Sequence, residues 1–212
     1  MEKAFGHTFE DYLLYSVYPG GSRFKDDHDR WHEYMRDSII EATLSRDVLQ
    51  MEDVRKPVLM HRLLPLGTHH SAQELSHRTI SGLLGNVGTA STVARYLGLL
   101  DDAGLLCGLN RFGASLAKSA GSSTRFLVHD TSLTTTAWPD SPDTFIQTVA
   151  NRGRLVESAV GCYLLTQSKV QHFDLTWWRE GNYEVDYVAR KGSSIYAIEV
   201  KSGRTRTKDS LA

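Results

Sequence analysis

The sequence has little of what marks membrane, secreted or disulfide-stabilised proteins. Its 212 residues include only two cysteines, Cys107 and Cys162, which form neither a CxxC pair nor a set with histidines. Its apolar runs stop far short of the roughly 20 residues that a membrane span requires. The start, MEKAFGHTFEDY, lacks the basic and apolar regions of a signal peptide. We therefore expect a cytoplasmic protein with reduced thiols, no zinc site and no membrane partner.

An excess of charge of either sign is also missing. The chain has 24 Lys and Arg against 25 Asp and Glu, for a net charge of -1. Without a global field to attract nucleic acid, any such contact must depend on local basic patches. No G-x-x-x-x-G-K-[ST] sequence occurs, so a nucleotide bound through a P-loop is excluded. The 41% hydrophobic and 23% charged residues are ordinary for a globular chain of one large or two small domains.

Residues 1–70 have the pattern of a helical connector. In DRWHEYMRDSIIEATLSRDVLQ the apolar residues recur at helical spacing, and Asp29 is the predicted N-cap. In KPVLMHRLLPL a second helix is predicted, with Pro57 in its first turn. The segment shows no catalytic spacing, so we assign no site to it.

Residues 71–135 have the layout of a winged helix-turn-helix. SAQELSHRTISGLLG and ASTVARYLGLLDDAGLL predict two helices, and Gly104 is a natural end for the second. LLCGLNRF and STRFLVHD predict a strand pair, and the small residues GASLAKSAGS between them could form the wing.

Such a unit can bind DNA by placing its second helix in the major groove. From Thr89 to Asp102 that helix offers one cation, Arg95, against Asp101 and Asp102, which is little for phosphate-dominated binding. Three further cations lie near the wing: Arg111, Lys118 and Arg125. Packing or protein contact is the alternative use of the unit, and both interpretations remain open because the fold does not fix the function.

Residues 145–212 predict one helix followed by a three-strand meander. TFIQTVANRGRLVESAVGCYLLTQS is the helix, and FDLTWWRE, YEVDYVAR and IYAIEVK are the strands, joined by turns at GN and KGSS. With the helices upstream, this order indicates an α+β protein. Strand alternation places one of Trp177 and Trp178 in the core and leaves the other half-exposed, which we favour over stacking on bases.

The last two strands carry charged residues where apolar side chains would be the simpler choice. Because side chains alternate between the faces of a strand, Asp186 is expected to point away from Val185 and Tyr187. On the next strand Glu199 and Lys201 share the face opposite to their apolar neighbours. If the strands pair, Asp186 and Glu199 converge with Lys201 beside them.

These residues suggest a metal site if the helix brings Glu157 to the same point. Three carboxylates in one place repel each other unless a cation lies among them. Mg²⁺, with Mn²⁺ as a substitute, suits an all-oxygen site held by Asp186, Glu199 and Glu157. Lys201 would position the attacking water or neutralise charge in a metal-assisted phosphodiester hydrolysis. The alternative is a solvated sheet face with surface ion pairs worth about 0–1 kcal/mol each.

The order GRLVES, WWREGNYEVDYVARKG and IYAIEVKSG resembles the C-terminal region of prokaryotic AAA-type ATPases, which end in a conserved domain of unknown function. That domain is similar to the restriction-endonuclease-like PD-(D/E)xK nuclease fold. YLLYSVYPG, DSIIEATLSRDVLQ, STVARYLGLLDDAGLL and RFLVHDTSL extend the resemblance over nearly the whole chain. It implies a nuclease-like set at Glu157, Asp186, Glu199 and Lys201, whereas the ATPase core is absent.

The C-terminal segment SGRTRTKDSLA contains a local basic patch with Arg204 and Arg206 that could lie on a phosphate backbone, or could be a loosely held end. The chain stops at Ala212, where relatives continue with further sheet and helix, so we expect an incomplete last domain. An incomplete sheet edge would invite pairing with a second copy as a homodimer.

Three hypotheses for the function follow. The first is a Mg²⁺-dependent nuclease-like phosphodiesterase guided by the winged helix. The second is a non-catalytic DNA- or protein-binding regulatory module of a missing ATPase. The third is a toxin–antitoxin or regulatory interaction domain without nucleic-acid contact. The intact set of carboxylates and lysine favours the first, whereas the acidic second helix and the abrupt end favour the second.

Overall fold

The computed structural model describes residues 7–15, 18–48, 54, 56–85, 88–113, 123–138 and 141–203. It is an α+β protein with two antiparallel three-stranded sheets in this part of the chain. None of the helices within these ranges is both long enough and apolar enough to cross a membrane.

The N-terminal segment is helical, as predicted. Its elements are α1 (Phe9–Tyr15), α2 (Pro19–Ser22), α3 (His28–Glu33), the π-helical stretches Tyr34–Glu41 and Thr43–Val48 that follow α3, and α4 (Pro57–His69). The N-cap of α3 is Asp27, whose side chain accepts a hydrogen bond from the backbone N of Arg30, so the assignment of this role to Asp29 was wrong. Asp29 lies instead in the first helical turn, where a negative charge is favourable near the positive end of the helix dipole.

This segment packs as part of the main core. Trp31 and Met35 are fully buried in one apolar cluster with Leu133 and Leu155, which come from much later in the chain. The rings of Tyr15 and Trp31 meet edge to face, with centroids 5.3 Å apart. The helices therefore bury a shared apolar surface, which is the dominant source of their stability.

The middle segment combines one sheet with two helices. Its elements are β1 (Glu74–Leu75), α5 (His77–Leu83), α6 (Ala90–Asp102), β2 (Leu106–Leu109) and β3 (Thr124–Val128), and β3 is the central strand of the order β1-β3-β2. Side-chain N-caps begin both helices: Ser76 accepts from Thr79 N, and Thr89 accepts from Thr92 N. Gly104 follows α6 with a φ of 70°, as expected for a helix-ending glycine. The predicted wing at 114–122 lies outside the described residues.

The C-terminal segment has the predicted helix and meander. After α7 (Thr131–Thr136) and α8 (Pro142–Phe145), α9 (Val149–Gln171) leads into β4 (Asp174–Glu180), β5 (Tyr183–Lys191) and β6 (Ser194–Ile198). The strands pair antiparallel in the order β4-β5-β6. Gly181 and Gly192, with φ of 58° and 60°, provide the tight turns between them.

Trp177 joins the two sheets. Its indole Nε1 donates to Leu109 O at 3.1 Å, its backbone N donates to Asn110 O, and its backbone O accepts from Phe112 N. The side chain is 1% exposed, whereas Trp178 is half-buried, which confirms that one tryptophan faces the core. The end of β2 therefore lies against β4, and side chains from both sheets meet beside it.

Gly161 lets α9 approach both sheets closely. A Cβ added there would lie 2.6 Å from Leu127 Cδ1 and 2.7 Å from Tyr187 Cζ, and both of those residues are fully buried. We expect Gly161→Ala to lower the free energy of unfolding by about 1–3 kcal/mol, because neither neighbour has room to yield. The measurement is denaturant unfolding.

Gly153→Ala is the matched control in the same helix. Its Cβ would meet only Ser202 Oγ, at an ordinary 3.5 Å. The better helix propensity of alanine should leave this variant as stable as wild type or more stable by about 0.5–1 kcal/mol. Equal stability of the two variants would contradict the close approach.

Candidate acidic site at the junction of the two sheets

Glu157 lies on α9, facing β5. Its backbone O accepts a 2.8 Å hydrogen bond from the hydroxyl of Tyr187, which fixes this turn of the helix against the sheet. Its side chain is 21% exposed and its Oε1 accepts from Arg125. The helix therefore delivers this carboxylate to the sheet end, as the sequence predicted.

Asp186 lies on β5 at an irregularity in the pairing with β4. Thr176 pairs with Val188 and Trp178 with Val185, so Asp186 and Tyr187 together stand opposite Trp177 alone. This is a β-bulge, which places one extra residue on β5 opposite Trp177. Asp186 and Tyr187 are both buried, at 9% and 0% exposure, and Asp186 shares the partner Arg125 with Glu184.

The bulge turns the Asp186 carboxylate inward. Its Oδ2 accepts a 2.7 Å hydrogen bond from Val200 N, just beyond the end of β6. The backbone hydrogen bond ties the segment carrying Glu199 and Lys201 to the same end of the sheet. Bulges often re-aim side chains next to functional sites, and this one does so for the central acidic residue of the cluster.

Arg125 requires a correction. Its position near the predicted wing suggested a contact with nucleic acid, but its side chain is only 4% exposed. It extends from β3 into the acidic cluster, where Nη1 donates to Glu157 Oε1 at 3.0 Å and to Asp186 O at 2.9 Å. Nη2 donates to Glu184 Oε1, and the guanidinium carbon lies 5.8 Å from the centre of the Trp177 ring. All of β3 is buried, so the arginine serves as an internal counter-ion.

The charge network extends outward through Glu184. Besides Arg125, its carboxylate accepts from Arg179 Nη2, and Arg179 Nη1 donates to Glu74 Oε2 at 2.8 Å. Arg179 is 46% exposed, so this outer part of the network is open to solvent. Sequence reasoning did not identify these members, because only the tertiary packing brings β1, β4 and β5 together here.

Glu199 and Lys201 form the exposed side of the cluster. Lys201 Nζ donates to Glu199 Oε1. The side chain of Lys201 is 52% exposed and that of Glu199 is 28% exposed. The hydrogen bond that Lys201 donates to Glu199 raises the pKa of Lys201. Their apolar neighbours Ile198 and Val200 pack against the second apolar cluster, which confirms the predicted division of faces.

The electrostatics show that the carboxylates influence one another. Burial, followed by the charge of Asp186, raises the pKa of Glu157 to about 7, against the attraction of Arg125. Burial also raises the pKa of Asp186, and the nearby Glu199 adds to this effect. Glu199 contributes to both upward shifts, so all three predicted carboxylates lie within electrostatic reach of one another.

The ionised network has an excess of negative charge. Among the described residues, ion pairs join five carboxylates (Glu74, Glu157, Glu184, Asp186 and Glu199) to three cations (Arg125, Arg179 and Lys201), for a net charge of -2 in this paired set when all are ionised. Arg154 is a further cation within electrostatic reach of Glu157. One divalent cation would balance the charge of the paired set. A proton on Glu157 would balance part of it.

The donor set fits Mg²⁺ or Mn²⁺ in its chemistry. In the described part of the chain, one oxygen of each predicted ligand is engaged: Glu157 Oε1 by Arg125, Asp186 Oδ2 by Val200 N, and Glu199 Oε1 by Lys201. The second oxygens are therefore the potential ligands, with Arg125 Nη1 already 3.7 Å from Asp186 Oδ1, and carboxylate oxygen is what these metals prefer. Among the described residues no three His, Cys, Asp or Glu side chains are already grouped around one point, so a bound cation would have to draw them together.

Of the predicted nucleic-acid contacts, the structure describes Arg95, Arg111 and Arg125. Arg95 is exposed on α6, and Arg111 is exposed just after the end of β2, where its Nη2 donates to Arg179 O. Lys118, Arg204 and Arg206 lie outside the described residues.

The fold and site define an α+β protein with a buried, arginine-bridged acidic cluster between two sheets. The chain belongs to the family described as a domain of unknown function (DUF8612), which matches residues 6–144. Residues 152–212 match a second domain of unknown function (DUF4143), which often occurs in proteins associated with AAA-type ATPases. No curated protein and no solved structure matches the chain.

Proposed function

We propose that the chain is a nucleic-acid-associated, nuclease-like protein with a Mg²⁺-dependent phosphodiesterase site at Glu157, Asp186, Glu199 and Lys201. The observation that supports the proposal is that three carboxylates and a lysine, from α9, β5 and the segment after β6, lie within electrostatic reach of one another. Because these residues come from three separate elements, the simple alternation of charged residues along one exposed strand does not account for the set.

The arrangement of elements supports the finer fold assignments. The order α4, β1, α5, α6, β2, β3 with β3 central is that expected of a winged helix, with α6 as the second helix of the helix-turn-helix pair. Helix α9 followed by the meander, with acidic residues at one end, is consistent with a PD-(D/E)xK-like unit. On this proposal the chain corresponds to the C-terminal part of an AAA-type ATPase-family protein.

The roles of the residues follow from their environment. Asp186 and Glu199 would hold the metal through their second carboxylate oxygens, and Glu157 would complete the set. The metal would polarise the phosphodiester and lower the pKa of a bound water. Lys201, half-exposed beside Glu199, would orient the nucleophile or meet charge that develops on the phosphate oxygens.

The environment also suggests where this reaction would take place and with which partners. Cys107 and Cys162 are buried free thiols, consistent with the cytoplasm.

Strand β6 pairs with β5 on one side, and no second neighbour of β6 occurs among the described strands. A second copy could pair there as a homodimer. Nucleic acid is the partner that the phosphodiesterase site requires.

A second function is favoured by Arg125. Because this guanidinium already bridges Glu157 and Glu184, the cluster can be stable without a metal. On that interpretation the chain is a non-catalytic DNA- or protein-binding regulatory module of an ATPase, and its acidic residues are structural.

Metal titration separates the two functions. We expect wild-type protein to bind Mg²⁺ and Mn²⁺ in a calorimetric titration, and Asp186→Ala, Glu199→Ala to bind neither, because the double variant removes two of the three ligands. A loss of at least about 100-fold in affinity is expected, in line with losing two charged ligands. Asp174→Ala, Glu180→Ala is the matched control, since both acids are exposed on β4 and neither is a predicted ligand.

Cleavage assays on plasmid, single-stranded DNA and RNA then test the chemistry. Metal-dependent cutting by wild type that the double variant lacks would support the phosphodiesterase. Metal binding without cutting of any substrate, or no metal binding at all, would favour the regulatory module.

A further inference from the structure

The acidic cluster contains a cation that belongs to the chain itself. The Arg125 guanidinium contacts Glu157 and Glu184 directly, and its Nη1 lies 3.7 Å from Asp186 Oδ1. Its Nε is buried and has no hydrogen-bond partner in the described part of the chain. An arginine buried to this extent with an unsatisfied donor is held by its charge interactions rather than by a complete set of hydrogen bonds.

This cation and the carboxylates come from segments that match different families. Arg125 belongs to residues 6–144, whereas Glu157, Glu184 and Asp186 belong to residues 152–212. The next two residues of β3, Phe126 and Leu127, are fully buried, so the strand cannot shift to withdraw the arginine without opening the core. The charge balance of the site therefore depends on how the two segments pack.

Arg125 lies close to the position that a metal ion bound to Asp186 would occupy. A divalent cation on Asp186 Oδ1 would approach an Nη1 atom that is only 3.7 Å from that oxygen. The same Nη1 also donates to Glu157 Oε1, so it lies beside the second carboxylate that would hold the ion. Two positive charges at such distances repel strongly where burial limits screening.

From this geometry we propose that Arg125 is a built-in counter-ion that competes with a divalent cation for Glu157 and Asp186 and so weakens metal binding at the site. The inference rests on the proposed metal site. In this role Arg125, which belongs to residues 6–144, is a positioning residue that lowers the metal affinity of carboxylates in residues 152–212.

Calorimetric titration of Mn²⁺ into full-length wild type, Arg125→Met, Arg125→Lys and Arg179→Met tests the proposal. Methionine keeps an unbranched apolar stem of similar length but removes the charge, so Arg125→Met should bind Mn²⁺ at least about tenfold more tightly than wild type. Lysine retains the charge, so Arg125→Lys should stay within about threefold of wild type. Arg179→Met removes an equal charge from the exposed part of the network and should also stay within about threefold, because solvent screens it.

The outcomes separate this inference from the proposed function. If wild type binds Mn²⁺ and Arg125→Met binds it no more tightly, the competition is refuted and the metal site stands. If wild type binds no Mn²⁺ but Arg125→Met does, the competition is supported, and metal-dependent catalysis by the wild-type chain is refuted. If neither protein binds Mn²⁺, both ideas fail.

Folding gives a second test if Arg125→Met is unfolded without metal. In that case Mn²⁺ should refold it, followed by circular dichroism, because the ion replaces the missing positive charge. Failure of Mn²⁺ to refold the variant, with Arg125→Lys folded in the same buffer, would overturn the proposal.

Discussion

Replacing Arg125 by methionine is expected to lower the free energy of unfolding in chelator at about pH 8 by about 3–5 kcal/mol, the usual cost of removing one partner from a buried ion pair. Glu157 and Glu184 would lose the guanidinium that contacts both, and the Asp186 backbone O would lose its donor. The hydrogen bonds that these acceptors lose are buried or part-buried, so water cannot fully replace the arginine. Chemical denaturation followed by circular dichroism measures the change.

Arg179→Met is the matched control for this loss. Arg179 also bridges two carboxylates, Glu74 and Glu184, but its side chain is 46% exposed. Exposed ion pairs contribute about 0–1 kcal/mol, so this variant should stay within that range of wild type. Similar losses in the two variants would contradict the internal role of Arg125.

A second substitution locates the source of the loss. If uncompensated charge on Glu157 is the main cause, Arg125→Met combined with Glu157→Gln should recover part of the lost stability, because glutamine leaves no charge to compensate. The two residues contact each other, so the effects of their substitutions should not be additive. Strict additivity would show that the cost of Arg125→Met comes from lost packing.

The sequence predicted the elements of the site better than their arrangement. The hydrophobic periodicity of α9 and the turn residues at Gly181 and Gly192 are local signals, and they predicted the helix and the three strands. The division of faces after β6 also followed from alternation. These features depend on the chain within a few residues, where pattern and propensity act directly.

The pairing at Asp186 contains an irregularity that no local pattern predicts. The bulge accommodates Trp177, which is fixed by its hydrogen bonds to residues after β2 in the other sheet. Nothing in YEVDYVAR alone specifies that two residues will stand opposite one. A register set by a distant contact overrides the period of two.

The role of Arg125 was missed for a related reason. In STRFLVHD an arginine beside an apolar run suggests a strand with one exposed cation, and the nearby predicted wing suggested phosphate as its partner. The strand is instead covered on both faces, with α9 packed across it, and the arginine is paired with acids more than 30 residues away in sequence. A charge in an otherwise apolar strand was the available signal, since buried charges require partners.

Glu157→Gln is expected to change how stability depends on pH. Burial and neighbouring acids raise the pKa of Glu157 in the folded protein to about 7 from its ordinary value of 4.5. Between these values the folded state binds more protons than the unfolded state, so stability falls as pH rises. The contribution of this carboxyl is fully present below about pH 4.5 and is lost as the pH passes 7.

The difference in the free energy of unfolding between wild type and Glu157→Gln cancels the contributions of the other titrating groups and so reports on this carboxyl. At about pH 5 the two proteins should be nearly equally stable, because a protonated carboxyl and an amide are both neutral. At about pH 8 Glu157→Gln should be the more stable protein by about 2–3 kcal/mol, as each pKa unit corresponds to about 1.4 kcal/mol. Denaturant unfolding in chelator at the two pH values gives the comparison.

Opposite results would identify a different balance of forces at the site. If Glu157→Gln is less stable than wild type at about pH 8, the ion pair with Arg125 outweighs burial, and the carboxylate is ionised there at little cost. Asp186→Asn provides a parallel check, because burial also raises the pKa of Asp186 and the amide oxygen can still accept from Val200 N. A gain of stability at high pH in both variants would show that the ionised carboxylates of the acidic cluster lower the free energy of unfolding. A bound divalent cation would remove this destabilisation.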